Sequence, residues 1–315
     1  MTSRLTAVRV QPAFPDVAQV RSVIERAGPF WPLSRYAASP EELQALGNET
    51  ATQFTPPWFR QDFAFGGSVH VDGAELILGN RAFADAARAI YGDDTVVTPT
   101  TVYVNVMGPT PFPFAPHLDV PAFRGFTRAD HPIWLLKTMK SSGLFEAWRT
   151  KIATAVSWMY DGPGGDFHYW PDGPDGAAAV ERPPFENVAV VADNEATFHG
   201  VAPLGRPGDR LPKGLDHTSR LVRGDGGWDV VHHDDVVAHY PDAVARITIS
   251  WKADVVAVEE QSGEALDLDR VVDVFLADLR DRAVDVPRPA DPHHDRDWVG
   301  ALAAHYQDRA PQLAV

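Results

Sequence analysis

The residues of this chain best placed to do chemistry are His117 and Asp119, in the stretch Pro116-His117-Leu118-Asp119-Val120, and a histidine far downstream, His199. Side chains alternate faces along a β-strand, so a His and an Asp two positions apart point to one side and can grip one ion together. With His199 arriving from a neighbouring strand, the set becomes two imidazoles and a carboxylate, the facial arrangement that leaves open positions on non-haem Fe(II). Open positions imply chemistry, because a purely structural site is closed by protein ligands. The plain alternative is a surface turn at His117 and a packed core histidine at His199.

The His-x-Asp spacing is weak by itself, since His232 with Asp234, His233 with Asp235 and His293 with Asp295 also satisfy it. Context separates them. A strand-like run, residues 101–107, precedes His117, and His199 sits in its own strand-and-turn pattern, Thr197-Phe198-His199-Gly200-Val201-Ala202-Pro203. The cluster His232-His233-Asp234-Asp235 offers donors for a second metal, although a solvated turn explains it more simply. The pair His293-His294 follows a proline-rich linker and reads as solvated.

Strands must carry these ligands, and several are legible. Over 101–107, Val102, Val104 and Val106 fall on one face and Thr101, Tyr103 and Asn105 on the other, so the polar side either lines a cavity or meets solvent. Over 246–251, Arg246, Thr248 and Ser250 share one face and Ile247, Ile249 and Trp251 the other. An arginine beside two hydroxyls presents a planar donor fork suited to a carboxylate. A structural salt bridge would explain the arginine but not the whole stripe.

Residues 153–160 and 166–170 read as a hairpin closed by Asp161-Gly162-Pro163-Gly164-Gly165. It carries Trp158, Tyr160, His168 and Trp170 as candidate substrate contacts, with simple packing as the alternative. Helices are expected at 16–27, from Ser39-Pro40-Glu41-Glu42 onward, at 82–91, once or twice within 124–151, at 266–281 and at 297–309. Trp58, Phe59 and Arg60 are further candidates to reach a pocket. Residues 205–240 are polar and interrupted by Pro207 and Pro212, so they read as an insertion with its own hairpin. The expected class is therefore mainly β with outer helices, α+β.

Composition narrows the function. With 315 residues, 44% hydrophobic and 23% charged, the chain is long enough for a core and is neither disordered nor membrane-spanning. No apolar run approaches the about 20 residues that a membrane helix needs, and the start lacks a signal-peptide core, so a cytoplasmic location is expected. Zero cysteines exclude disulfides, thiolate-bound zinc, iron–sulfur clusters and thiol catalysis, so any metal must be held by His, Asp or Glu. A net charge of −15 argues against nucleic acid as partner. A small-molecule substrate is the expected partner, and oligomeric state is not readable.

Taken in order, Tyr103-x-Asn105, His117-x-Asp119, Gly164-Gly165-Asp166-Phe167, His199-x-Val201-x-Pro203 and Arg246-x-Thr248 resemble the Fe(II)/2-oxoglutarate-dependent dioxygenases. The resemblance covers about residues 95–255 and implies a double-stranded β-helix, or jelly roll, with helices packed outside. It implies that His117, Asp119 and His199 hold iron. It further implies that Arg246 anchors the distal carboxylate of 2-oxoglutarate with help from Thr248 or Ser250, and that Tyr103 or Asn105 touches the cosubstrate.

The expected organisation is a mostly helical support region over 1–94, a catalytic core over 95–255 interrupted by an inserted lid at about 205–240, and a helical extension over 256–315, as one structural unit. In that family the anchoring arginine usually follows the distal histidine closely, whereas the insertion separates Arg246 from His199. Arg210, nearer in sequence, is the competitor, but Pro212 spoils a strand there while Arg246 begins a good one. The implied reaction consumes dioxygen and 2-oxoglutarate, releases succinate and carbon dioxide, and hydroxylates a substrate carbon, such as one in an amino acid derivative or specialised metabolite. Asp119 is a carboxylate, so the halogenating subgroup is not indicated, while desaturation or ring formation would use the same ligands. Two other readings stand beside it: a cupin-like metalloenzyme that does not use 2-oxoglutarate, and a non-catalytic jelly-roll binding protein.

Overall fold

The computed structural model describes residues 5–36, 55–257, 264–306 and 310–313, and its strands and helices fall into two units. The first comprises Met1–Leu118, Ile152–Val255 and Pro311–Val315; the second comprises Asp119–Lys151 and Val256–Ala310. In chain order the strands are β1 (Ala7–Val10), β2 (Trp31–Pro32), β3 (Trp58–Phe65), β4 (Ser68–Val69), β5 (Thr95–Met107), β6 (Phe114–His117), β7 (Lys151–Met159) and β8 (Phe167–Trp170). They continue with β9 (Ala179–Glu181), β10 (Ala189–Ala192), β11 (Phe198–Val201), β12 (Arg220–Gly224), β13 (Gly227–His232), β14 (Asp235–Pro241) and β15 (Arg246–Ala257). The helices are α1 (Val17–Arg26), α2 (Glu75–Leu78), α3 (Arg81–Tyr91), α4 (Ile133–Ser142), α5 (Leu268–Asp281) and α6 (Arg296–Tyr306).

Three sheets result. The largest runs β1-β10-β7-β15-β5-β3-β2 with β4 on β3, the second runs β6-β11-β8-β9, and the third is β12-β13-β14. Pairings β1–β10, β10–β7, β3–β5, β6–β11, β11–β8 and β8–β9 are all antiparallel. The two faces of the largest sheet bury different partners. Val102, Val104, Val106, Ile247, Ile249 and Trp251 join one core with Val20, Val23 and Ile24 of α1 and Phe83, Ala87 and Ile90 of α3. On the other face Trp58, Met107, Val156, Trp158 and Val190 meet Phe167 and Val201 of the second sheet. A second, aromatic core thus fills the space between the two sheets.

Local chemistry explains the helix ends. The Asp16 side chain accepts from Gln19 N–H at the start of α1, and Asn80 accepts from Ala82 and Phe83 N–H at the start of α3. Each such cap contributes about 1 kcal/mol by satisfying donors that no helical carbonyl reaches. The helix expected from Ser39-Pro40-Glu41-Glu42 lies outside the described residues. In the second unit, α4, α5 and α6 pack around Phe123, Leu135, Leu136, Phe145, Phe275 and Trp298. No helix among the described residues is long and apolar enough to cross a membrane.

Three sequence expectations require correction. Residues 1–94, expected as mostly helical, also supply β1 to β4 to the largest sheet. The hairpin of 153–160 with 166–170 does not form, because β7 lies in the largest sheet and β8 in the second. The glycine turn between them carries the chain from sheet to sheet: Gly165 N–H donates to Pro203 O, and Gly205 N–H donates to Pro163 O. The bonds that would have closed a hairpin go instead to the segment after β11. Finally, the 205–240 insertion, expected as a lid with its own hairpin, forms the antiparallel sheet β12-β13-β14 and packs part of it into the fold. Leu215, Leu221, Trp228, Val230 and Tyr240 are buried in the core that holds α1, where Leu221 exchanges backbone hydrogen bonds with Phe30.

Candidate metal centre

Antiparallel pairing of β6 with β11 sets His117 directly across from His199, with ring centroids 4.4 Å apart. β6 ends at His117, so Asp119 stands just past the strand rather than within it. One ligand atom from each of His117, Asp119 and His199 nevertheless lies within 4.8 Å of the other two, a spacing on which one ion can close. Each imidazole is oriented by its own strand: His117 Nδ1 is 2.8 Å from Ala115 O, and His199 Nδ1 is 3.1 Å from Thr197 O. A carbonyl only accepts, so each Nδ1 carries a hydrogen, and in the neutral form of each ring the lone pair is on Nε2. A ring held in this way is oriented for metal binding.

Apolar rings surround the cluster. Phe114 meets His117 edge-on at 4.6 Å, Trp58 meets Phe114 at 5.1 Å, and Phe167 lies 6.0 Å from His199. His199 is buried while His117 and Asp119 are half-buried, which leaves the donors partly open to solvent. Gly200 makes the close approach of the strands possible, because a Cβ there would stand 3.0 Å from both Phe114 O and Pro116 N.

Arg246 borders the same aromatic core. It is 1% exposed, its Nε donates to Gly165 O at 3.1 Å, and its Nη1 donates to the Thr248 hydroxyl at 2.6 Å. Its Nη2 has no partner among the described residues, and no described carboxylate lies within ion-pair distance. Burial pushes its pKa down, and the opposing influence of Tyr160 and Asp166 offsets only part of the cost of holding a cation away from water. Gly165, at φ +75°, admits this side chain, since a Cβ there would meet Arg246 Cδ at 3.0 Å. A path of rings connects the two features: His199 to Phe167, Phe167 to Trp158 at 4.9 Å, Trp158 to Phe185 at 4.8 Å, and Phe185 to the Arg246 guanidinium at 5.6 Å. Arg210, the competing arginine, is exposed and outside any strand.

The remaining candidates divide by face. Thr248 and Ser250 are buried on the Arg246 side of β15. Tyr103 and Asn105 lie opposite Asp62 and Arg60 of β3; Arg60 stacks 3.7 Å over Tyr103 and pairs with Asp62, while Asn105 Oδ1 is buried without a partner among the described residues. Trp58 belongs to the core between the sheets, whereas Phe59 belongs to the helix-side core. Trp158 packs between Phe167 and Phe185. Tyr160 donates its hydroxyl to Pro163 O, and burial pushes its pKa up to about 12.

His168 and Trp170 are corrected. Cross-strand partners share a face, and His199 pairs with Tyr169 while Phe198 pairs with Trp170 and Gly200 with His168. His168 and Trp170 therefore lie on the face away from His199, and Tyr169 and Phe167 lie on its face. Both alternating sets in Phe167-His168-Tyr169-Trp170 are aromatic or apolar in character, so no signal in that stretch distinguishes the inner face from the outer.

No protein-family model matches the chain, and no curated protein matches it. Among solved structures it is similar to an oxidoreductase of the 2OG-Fe(II) oxygenase family from Burkholderia pseudomallei, with TM-score 0.41, 12% identity, and coverage of 79% of this chain and 84% of that one. It is also similar to a prolyl-4-hydroxylase from Pseudomonas putida, with TM-score 0.38, 15% identity, and coverage of 79% and 92%. A third is HygX from Streptomyces hygroscopicus with nickel, 2-oxoglutarate and hygromycin B bound, at TM-score 0.37, 10% identity, and coverage of 84% and 93%. At these identities and TM-scores the likeness carries no argument about activity, which rests on the side chains described above.

Proposed function

We propose that this protein is an Fe(II)- and 2-oxoglutarate-dependent oxygenase with a double-stranded β-helix core, hydroxylating an unactivated carbon of a small molecule. The observation that carries the reading is a buried guanidinium, Arg246, with Nη2 unpartnered among the described residues, bordering the same aromatic core as a His-Asp-His set. A buried cation without a direct ion-pair partner is costly, and an incoming carboxylate would relieve that cost. A dicarboxylate keto acid meets both needs, one end for the arginine and the other for a metal.

His117, Asp119 and His199 would hold the iron, which when bound supplies the oxygen-activating chemistry that no side chain here can perform. Their donor set fits: two imidazoles, each with Nδ1 at hydrogen-bond distance from a backbone carbonyl, and one carboxylate. Arg246 would receive the distal carboxylate of 2-oxoglutarate, with Thr248 holding one arm of the fork. Ser250, Tyr103 and Asn105 are assigned to the same cosubstrate. Phe114, Phe167 and Trp158 would shield the inner side of the centre from water. The substrate would approach the half-buried side of His117 and Asp119, with Tyr169 facing it across the strand from His199.

The test is succinate formation from 2-oxoglutarate by protein loaded anaerobically with Fe(II) and then exposed to oxygen. Slow uncoupled turnover is expected without substrate, together with its loss in His199→Ala and Arg246→Met. If metal binds while 2-oxoglutarate neither binds by calorimetry nor yields succinate, the reading is wrong and a metalloenzyme of another kind takes its place.

A further inference from the structure

The three-stranded sheet carries a separate set of metal donors. β13 and β14 are joined by His232-His233-Asp234-Asp235, with His233 and Asp234 at φ 47° and 69°. Aspartate and histidine are among the residues that adopt the left-handed region most readily after glycine and asparagine, so this two-residue turn suits both. The turn sets the His232 and His233 rings 4.0 Å apart between centroids. The loop entering β12 brings Asp216 to them, and one ligand atom from each of the three lies within 4.8 Å of the others.

Hydrogen bonds from the same loop hold two of these donors. Asp216 Oδ1 accepts from the Thr218 N–H at 2.8 Å and the Thr218 hydroxyl at 2.7 Å. The Thr218 bond is the main cause that holds the Asp216 carboxyl below its ordinary range, so it is ionised at neutral pH. The buried Ser219 hydroxyl accepts from Asp216 N–H at 3.1 Å and lies 3.0 Å from His232 Nδ1, so one side chain orients both donors. Asp234, the neighbouring carboxylate, is paired with Arg220 at 2.8 Å.

We propose that Asp216, His232 and His233 form a second metal site, distinct from the His117–Asp119–His199 set, which takes a borderline divalent ion such as Zn2+ and clips the 205–219 loop to the β13–β14 turn. Two imidazoles and one carboxylate favour Zn2+, Ni2+ or Cu2+ over the oxygen-seeking Mg2+ and Ca2+. His233 is exposed, so water completes the coordination. His232 Nδ1, 3.8 Å from Asp216 Oδ1, is the nitrogen that Ser219 contacts, so Nε2 would be the ligand atom and Ser219 a positioning residue, the role that outer partners of metal-bound histidines have.

The experiment uses untagged full-length protein carrying His117→Ala and His199→Ala, stripped of metal and titrated calorimetrically with Zn2+. Removing the first set makes the outcome independent of the proposed oxygenase function. One equivalent of Zn2+ is expected to bind and to raise Tm. Adding His232→Ala and His233→Ala should abolish both effects, and Asp216→Asn or Ser219→Ala should weaken binding by ~10-fold or more. Circular dichroism without metal checks that each variant is folded. The proposal is overturned if the first variant binds no Zn2+, or if folded protein lacking His232 and His233 still binds it with unchanged affinity.

Discussion

At the scale of single residues, Arg246 is the most informative group in the chain. Its alkyl stem and guanidinium are buried against Gly165, Met107 and Phe185, and Thr248 and Gly165 take up only part of its donor capacity. A buried guanidinium whose donors are only partly satisfied carries a desolvation cost that an apolar side chain of similar volume does not. Arg246→Met is therefore expected to keep or raise the Tm of the ligand-free protein and to abolish the Tm increase that the proposed binding of 2-oxoglutarate would produce in metal-loaded wild type. Thermal melts with and without the keto acid read both effects. A marked loss of stability without ligand would mean that the arginine is a structural group already satisfied by its surroundings. The residue was legible because Arg246-Ile247-Thr248-Ile249-Ser250-Trp251 alternates cleanly; its burial was not, since a strand can turn the same stripe toward water.

At the scale of elements, the candidate metal centre is a product of register. His117 and His199 face each other because β6 and β11 pair antiparallel with those two residues opposite. The glycine after His199 lets the strands come together, with Phe114 O and Pro116 N at the distance a Cβ would contest. Gly200→Ala should push β6 away and separate the imidazoles. The expected outcome is metal affinity lowered by ~10-fold or more, with little change in far-UV circular dichroism, measured by Fe(II) or Mn(II) titration. Unchanged affinity would show that the strand spacing does not position the donors. The same logic explains why Tyr169 was missed: alternation groups Phe167 with Tyr169 and His168 with Trp170, but the pairing of β8 with β11 decides which group shares the His199 face.

At the scale of the whole molecule, the segment between β11 and β15 changes meaning. Read as sequence, its polarity and prolines suggest a cover; in the fold its apolar residues complete the core beneath α1, and Phe30 and Trp228 meet edge-to-face at 5.4 Å. It also accounts for the long separation of Arg246 from His199, because three strands are inserted between them. Leu221 is fully buried there. Leu221→Ala should cost about 2–5 kcal/mol of global stability, the range for deleting a buried leucine side chain, read from urea unfolding. A loss near zero would restore the picture of a detachable flap.

Sequence alone determined what is local along the chain: the helices expected at 16–27 and 82–91 and the alternating stripes of β5 and β15. Each follows from periodicity or capping chemistry that acts within a few residues. Tertiary structure decided which strands share a sheet, which alternating set faces the cluster, and whether the polar stretch before Arg246 stands off or packs in. Those choices depend on partners far away in sequence. Where both faces of a strand are apolar, as along Phe167-His168-Tyr169-Trp170, only the register with its neighbour distinguishes inside from outside.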